Sequence, residues 1–94
     1  MQSVATVATA NGSKYLQQLC KHWSHRLEVE YDAERGRVNF GDAAVHFSAV
    51  AHYIVAVLAG PDAETLARLE PVVALHLQRF AYRENLAVVW VRGE

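Results

Sequence analysis

A single cysteine, Cys20, is the only thiol in this chain of 94 residues. No internal disulfide can brace the fold, and a reducing cytoplasm is the expected compartment. Proline occurs twice and glycine five times, too few for a fibrous or linker-rich chain. No apolar run reaches the roughly 18 residues that would span a bilayer. The opening MQSVATVATA lacks a basic start and a leucine-rich stretch, so it reads as a strand rather than a signal peptide. Charge of one sign is missing too: nine Lys and Arg against ten Asp and Glu leave a formal net charge of −1. That balance removes the general drive toward nucleic acid or an anionic membrane. No phosphate-binding glycine loop, zinc knuckle or nucleophile elbow is present.

What is present is a globular composition, 52% hydrophobic and 20% charged, in a length that supports one core and hence one domain. VATVAT is rich in β-branched residues and predicts a first strand. NGS breaks it, and Asn11 or Ser13 can cap a helix from about Lys14 to Ser24. On that helix Leu16, Leu19, Cys20 and Trp23 form one stripe. Lys14, Gln18, Lys21 and His25 lie opposite, with His22 near the edge.

LEVEYD alternates strictly, with Leu27, Val29 and Tyr31 on one face and Glu28, Glu30 and Asp32 on the other. After a turn at DAERG, RVNF places Val38 and Phe40 inward and Arg37 and Asn39 outward. The two form a hairpin in which Glu28 or Glu30 faces Arg37. AVHFSA turns Val45 and Phe47 to one side and His46 and Ser48 to the other. HYIVAVLA follows a short bend and is apolar on both faces, with Ile54, Ala56 and Leu58 on one and Tyr53, Val55 and Val57 on the other.

GPD opens a second helix with Asp62 as its N-cap, Glu64 near its positive end and Arg79 and Arg83 near its negative end. Leu66, Leu69, Val73, Leu77 and Phe80 form its apolar stripe. Pro71 interrupts the pattern, which predicts a kink or a break after Glu70. LAVVWV is a closing strand, Val88 and Trp90 on one face, Val89 and Val91 on the other. The order β-α-β-β-β-β-α-β predicts an α+β domain: a mostly antiparallel sheet with two helices packed on one face.

Such a fold leaves Tyr53, Val55, Val57, Val89 and Val91 on the uncovered side. A contiguous apolar patch marks an interface more often than scattered valines do, so self-association or partner binding is expected there. A second candidate surface gathers Lys14, Lys21, His22, His25 and Arg26, cations that can attract an anionic ligand or partner. The rival reading is a metal-binding or enzymatic domain built on His22 and His25, whose i,i+3 spacing can place two imidazoles on one ion. Cys20 points away from them and into the core, where a thiol is inert. No cofactor and no catalytic residue is expected.

The blocks SKYLQQLCKHWSHRLEVEYDAERGRVNFGDAAV and PDAETLARLEPVVALHLQRFAYRENLAVVW resemble the bacterial family called domain of unknown function 2218. The likeness runs from about Val4 to Trp90. It is most specific in YLQQLCKHW, the following GD and the terminal RFAYRENL. It implies a small cytoplasmic α+β domain. Through the siderophore-interacting reductases and iron-uptake genes that often accompany the family, it also implies an accessory role in iron or siderophore handling. It supplies no reaction. The combined expectation is a non-enzymatic binding domain, self-associating, possible partners being a siderophore-related reductase or its ligand.

Overall fold

Period-two alternation in the sequence becomes six strands, and the two 3.6-period stripes become two helices. The computed structural model describes residues 1–93. It contains β1 (Gln2–Ala8), α1 (Gly12–Trp23), β2 (Glu28–Tyr31), β3 (Arg35–Asn39), β4 (Ala44–Val50), β5 (Tyr53–Ala59), α2 (Ala63–Phe80) and β6 (Trp90–Gly93). The strands form one sheet in the order β2-β3-β4-β5-β1-β6, and every neighbouring pair is antiparallel. Both helices lie on the same face. α1 packs over β2 to β5, α2 over β1 and β5, and the helices touch each other.

Register explains how α1 reaches the sheet. One row across the covered face reads Gly36, Phe47, Ala56, Ala5, Trp90. Phe47 thus stands between two residues with little or no side chain, which leaves room for its ring. Above it lies Trp23, stacked at 6.3 Å between centroids with 13° between planes. Phe40 meets the same indole edge-on at 5.5 Å. Gly36 sits directly beneath Cys20: a Cβ built there falls 2.6 Å from the sulfur. The helix therefore settles on a gap in the sheet, and Leu16, Leu19 and Cys20 are fully buried there.

The next row, Val38, Val45, Leu58, Ser3, Arg92, carries a polar pair under α2. The buried Ser3 hydroxyl donates to Glu70 at 2.6 Å. Arg92 closes on the same carboxylate through two bonds of 3.0 and 2.9 Å. Paired this way, Glu70 is held below the usual carboxylate range, chiefly by the Arg92 hydrogen bond. The network ties the edge strand β6 to the helix above it.

Several sequence expectations are corrected. α2 continues through Pro71 without the break that was one of the two expected outcomes. The ring faces solvent, and burial of Val73 and Leu77 beyond it offsets the lost hydrogen bond, a defect of roughly 3 kcal/mol in a helix interior. Asp62 caps α2 as expected, accepting from the Thr65 N–H at 2.8 Å. Arg83 lies beyond the helix, which ends at Phe80. Asn11 occupies the N-cap position of α1, as one of the two expected residues, but its side chain makes no capping hydrogen bond; its amide donates to Glu84, and the Ser13 hydroxyl donates to the Ala33 carbonyl. α1 starts at Gly12 and stops at Trp23, so His25 falls in the following turn. The first hairpin turn is tighter than DAERG, because Asp32 accepts from the Glu34 and Arg35 N–H groups at 2.8 Å each and β3 begins at Arg35. Tyr31 shares the covered face with Val29, as the alternation predicts, but stands 43% exposed at the sheet edge. The closing strand begins at Trp90, not Leu86, since only Trp90 to Gly93 find partners along β1.

Candidate functional site

The uncovered sheet face has a composition gradient. One row reads Glu30, Arg37, His46, Val57, Val4, Val91 from β2 to β6. The flanking row reads Arg35, Ser48, Val55, Thr6. One side of the face is charged and the other apolar. Glu30, not Glu28, is the register partner of Arg37, yet no ion pair joins them; among the described residues the ion pairs are Arg68–Asp42 and Arg92–Glu70.

The five predicted contact residues do share this face. Val89 and Val91 are 69% and 67% exposed and Tyr53 46%, while neighbouring strands half-cover Val55 and Val57. Sequence reading missed Val4, which joins β5 to β6: it pairs with Val57 on one side and Val91 on the other. Its strand was legible, but the facing of VATVAT depends on register with β5 and β6. A shallow depression lies at this end, lined by Gln2, Val4, Thr6, Val89 and Val91.

The predicted cationic surface divides in two. Lys14 and Lys21 are exposed on α1 and stand apart from the cleft at its end. His22, His25 and Arg26 line that cleft with Trp23, Leu27 and His76, a space of about 400 Å³ between α1, the turn after it and α2. His22 meets His76 at 5.5 Å between ring centroids and Phe80 at 5.8 Å. His25 has left the helix, so the i,i+3 pair of the sequence is replaced by a pair from two helices. The partner, His76, comes from the half-buried edge of α2. Among the described residues no three His, Cys, Asp or Glu side chains gather as a ligand set. Cys20 is buried, and burial pushes its thiol up to about 11.

A polar knot joins the loops at one end of the helices. The Glu84 carboxylate accepts from the Thr9 hydroxyl at 2.7 Å, the Asn11 amide at 3.0 Å and the Tyr15 hydroxyl. The Tyr15 bond is the first cause that holds Glu84 below the usual carboxylate range, and the same bond raises Tyr15. A carboxyl depressed by folding contributes stability above its unfolded value, near 4.3, and that contribution is lost as pH falls through the folded value. We therefore expect melting temperature to drop on acidification, and Glu84→Gln to be less stable at pH 7 with a shallower acid dependence. Thermal unfolding of both proteins between neutral and strongly acidic pH checks this; parallel curves would show that the knot contributes nothing.

Two helices on one side of an antiparallel sheet, with the other side bare, define a two-layer α+β domain. No helix is long and apolar enough to cross a membrane. The chain belongs to the bacterial family described as uncharacterized protein conserved in bacteria (DUF2218), matching it over residues 4–91. It is similar to PA4090 from Pseudomonas aeruginosa, solved by NMR, at 40% identity and a TM-score of 0.84, the match covering 99% of this chain and 97% of that one. No protein of curated function matches it significantly.

Proposed function

We propose that this domain is a non-enzymatic binding module that self-associates through its open sheet face. The observation that carries the reading is the continuous run of Val57, Val4 and Val91 across three neighbouring strands, flanked by Val55 and Val89. Antiparallel sheets with one solvated face ordinarily turn polar residues outward, and the β2–β3 side of this sheet does so.

Size favours a second copy as the occupant. Six strands at about 4.8 Å spacing, with central strands of seven residues, give a face roughly 24 Å on each side, or about 570 Å². Two whole faces stacked together remove about 1,100 Å², just above the ~1,000 Å² that a specific interface needs, so the contact engages the charged β2–β3 side as well as the valines. Sheets stacked in this way pack about 10 Å apart with interdigitated side chains. Valines from two copies are chemically self-matching, as an isologous contact requires.

Sedimentation equilibrium tests the proposal. The native protein is expected to be dimeric, and a Val57→Lys, Val91→Lys variant monomeric with unchanged circular dichroism. A native chain that stays monomeric at about 1 mM, where even an affinity of ~4 kcal/mol would show, contradicts it. The accessory role in iron or siderophore handling rests on the family resemblance. Binding to a siderophore-interacting reductase, measured with purified proteins, tests that role.

A further inference from the structure

The cleft between α1 and α2 lies on the helix side of the molecule, independent of the sheet face. Its lining holds three imidazoles, His22, His25 and His76, of which His22 and His76 meet at 5.5 Å between ring centroids. We propose that His22 and His76 form a binding site for a divalent first-row transition-metal ion, of the kind that prefers imidazole, with its remaining positions open to water or an exogenous donor.

Three observations carry this. The first is spacing. A ring nitrogen binds zinc at about 2.0–2.1 Å, and the ring centroid lies about 1.1 Å behind that nitrogen. Two imidazoles on one tetrahedral ion therefore have centroids about 5 Å apart, and His22 and His76 are 5.5 Å apart. The second is the tautomer of His76. Its Nδ1 lies 2.7 Å from the Val72 carbonyl oxygen, which can only accept. Nδ1 therefore carries a proton, and in the neutral ring Nε2 is the nitrogen with the lone pair. Metal-bound histidines characteristically hold their second nitrogen in this way. The third is preorganisation. The His76 ring lies against the Trp23 indole at 4.9 Å, and the His22 ring against Phe80 at 5.8 Å.

The site is open by construction. The cleft lining contains no carboxylate, and its one permanent charge is Arg26. A cation held there by neutral imidazoles alone keeps its full charge, so an anionic co-ligand next to Arg26 is favoured. Two protein ligands fall short of a closed structural zinc site, which has four. The ion is therefore exchangeable and accessible, not part of the fold.

The test uses the full chain. Zinc is titrated by calorimetry, and nickel is followed by line broadening in amide NMR spectra. One zinc per chain is expected. Nickel should broaden the signals of His22, Trp23, His76 and Phe80 first. His22→Gln and His76→Gln should each weaken zinc binding by about tenfold or more. His46→Gln on the open face and His52→Gln in the β4–β5 turn should leave it unchanged. His22 is exposed, so its variant will fold. If His76→Gln does not, the broadening map and the His22 variant decide alone. Broadening centred on His46, His52 or the N-terminus, or zinc binding equal in the native and His22→Gln proteins, overturns the proposal.

Discussion

Phe47→Ala is expected to destabilise the domain by about 3–5 kcal/mol, the range for deleting a buried aromatic ring. A domain of this size has roughly 5–15 kcal/mol in total. Phe47 is 1% exposed on a central strand, and its neighbours in the row are Gly36 and Ala56. Neither has a side chain that can move into the gap. The indole of Trp23 rests on the ring and would lose its support, so the cavity would stay open and the cost would fall at the upper end. At about 4–8 °C per kcal/mol, the melting temperature should drop by at least ~12 °C. Chemical denaturation of the two proteins measures this directly. A loss under about 1 kcal/mol would mean that the ring is not the support on which α1 sits.

Gly36→Ala should cost about 1–3 kcal/mol, as overpacking of a close-packed core does. Here the glycine is required by contact rather than by backbone angle. The new methyl would stand 2.6 Å from the Cys20 sulfur, with Leu16 and Tyr31 atoms at 3.3 Å. The chain must lift α1 or distort β3. The explanation has a specific corollary. Cys20→Ala removes the sulfur that the methyl meets, so the double variant Gly36→Ala, Cys20→Ala should be more stable than the sum of the two single changes implies. Simple additivity in the four-protein cycle would show that the sulfur is not the obstacle. In the native protein the same packing should shield Cys20 from alkylating reagents until the chain unfolds, because a buried thiol near pKa 11 offers little thiolate.

Much of this architecture is legible in the residues. The strict alternation of LEVEYD and AVHFSA defines strand faces without tertiary information, because the pleat has a period of two. The stripe Leu16, Leu19, Cys20, Trp23 identifies the buried side of α1 for the equivalent helical reason. Reading fails where a partner decides the outcome. Leu86 to Val89 have strand composition, but β1 offers pairing only from Gln2 to Ala5, so the strand starts at Trp90. Asn11 stands at the N-cap position as its type suggests, but its side chain is oriented by Glu84, distant in sequence, to which its amide donates, and it makes no capping bond. Pro71 argues against a helix locally, and the apolar residues beyond it decide otherwise.

The two candidate sites divide along the same line. Tyr53, Val55, Val57, Val89 and Val91 were recognisable because a sheet covered on one side must expose the other. Val4 was not, because its place depends on two registers. His22 was visible as a candidate, but the helix ends at Trp23, so His25 in the following turn is not held at helical spacing from it. His76 approaches from a helix far along the chain, and no local spacing announces that approach.

The contact between copies can be observed without mutation. Isotope-filtered NOE spectroscopy on an equal mixture of labelled and unlabelled protein reports only proximities between molecules. The account predicts intermolecular signals from the methyl groups of Val4, Val55, Val57 and Val91, and none from Leu16, Leu66 or Val73 beneath the helices. Intermolecular signals confined to the helix side, or none at a concentration where sedimentation shows a dimer, would contradict it.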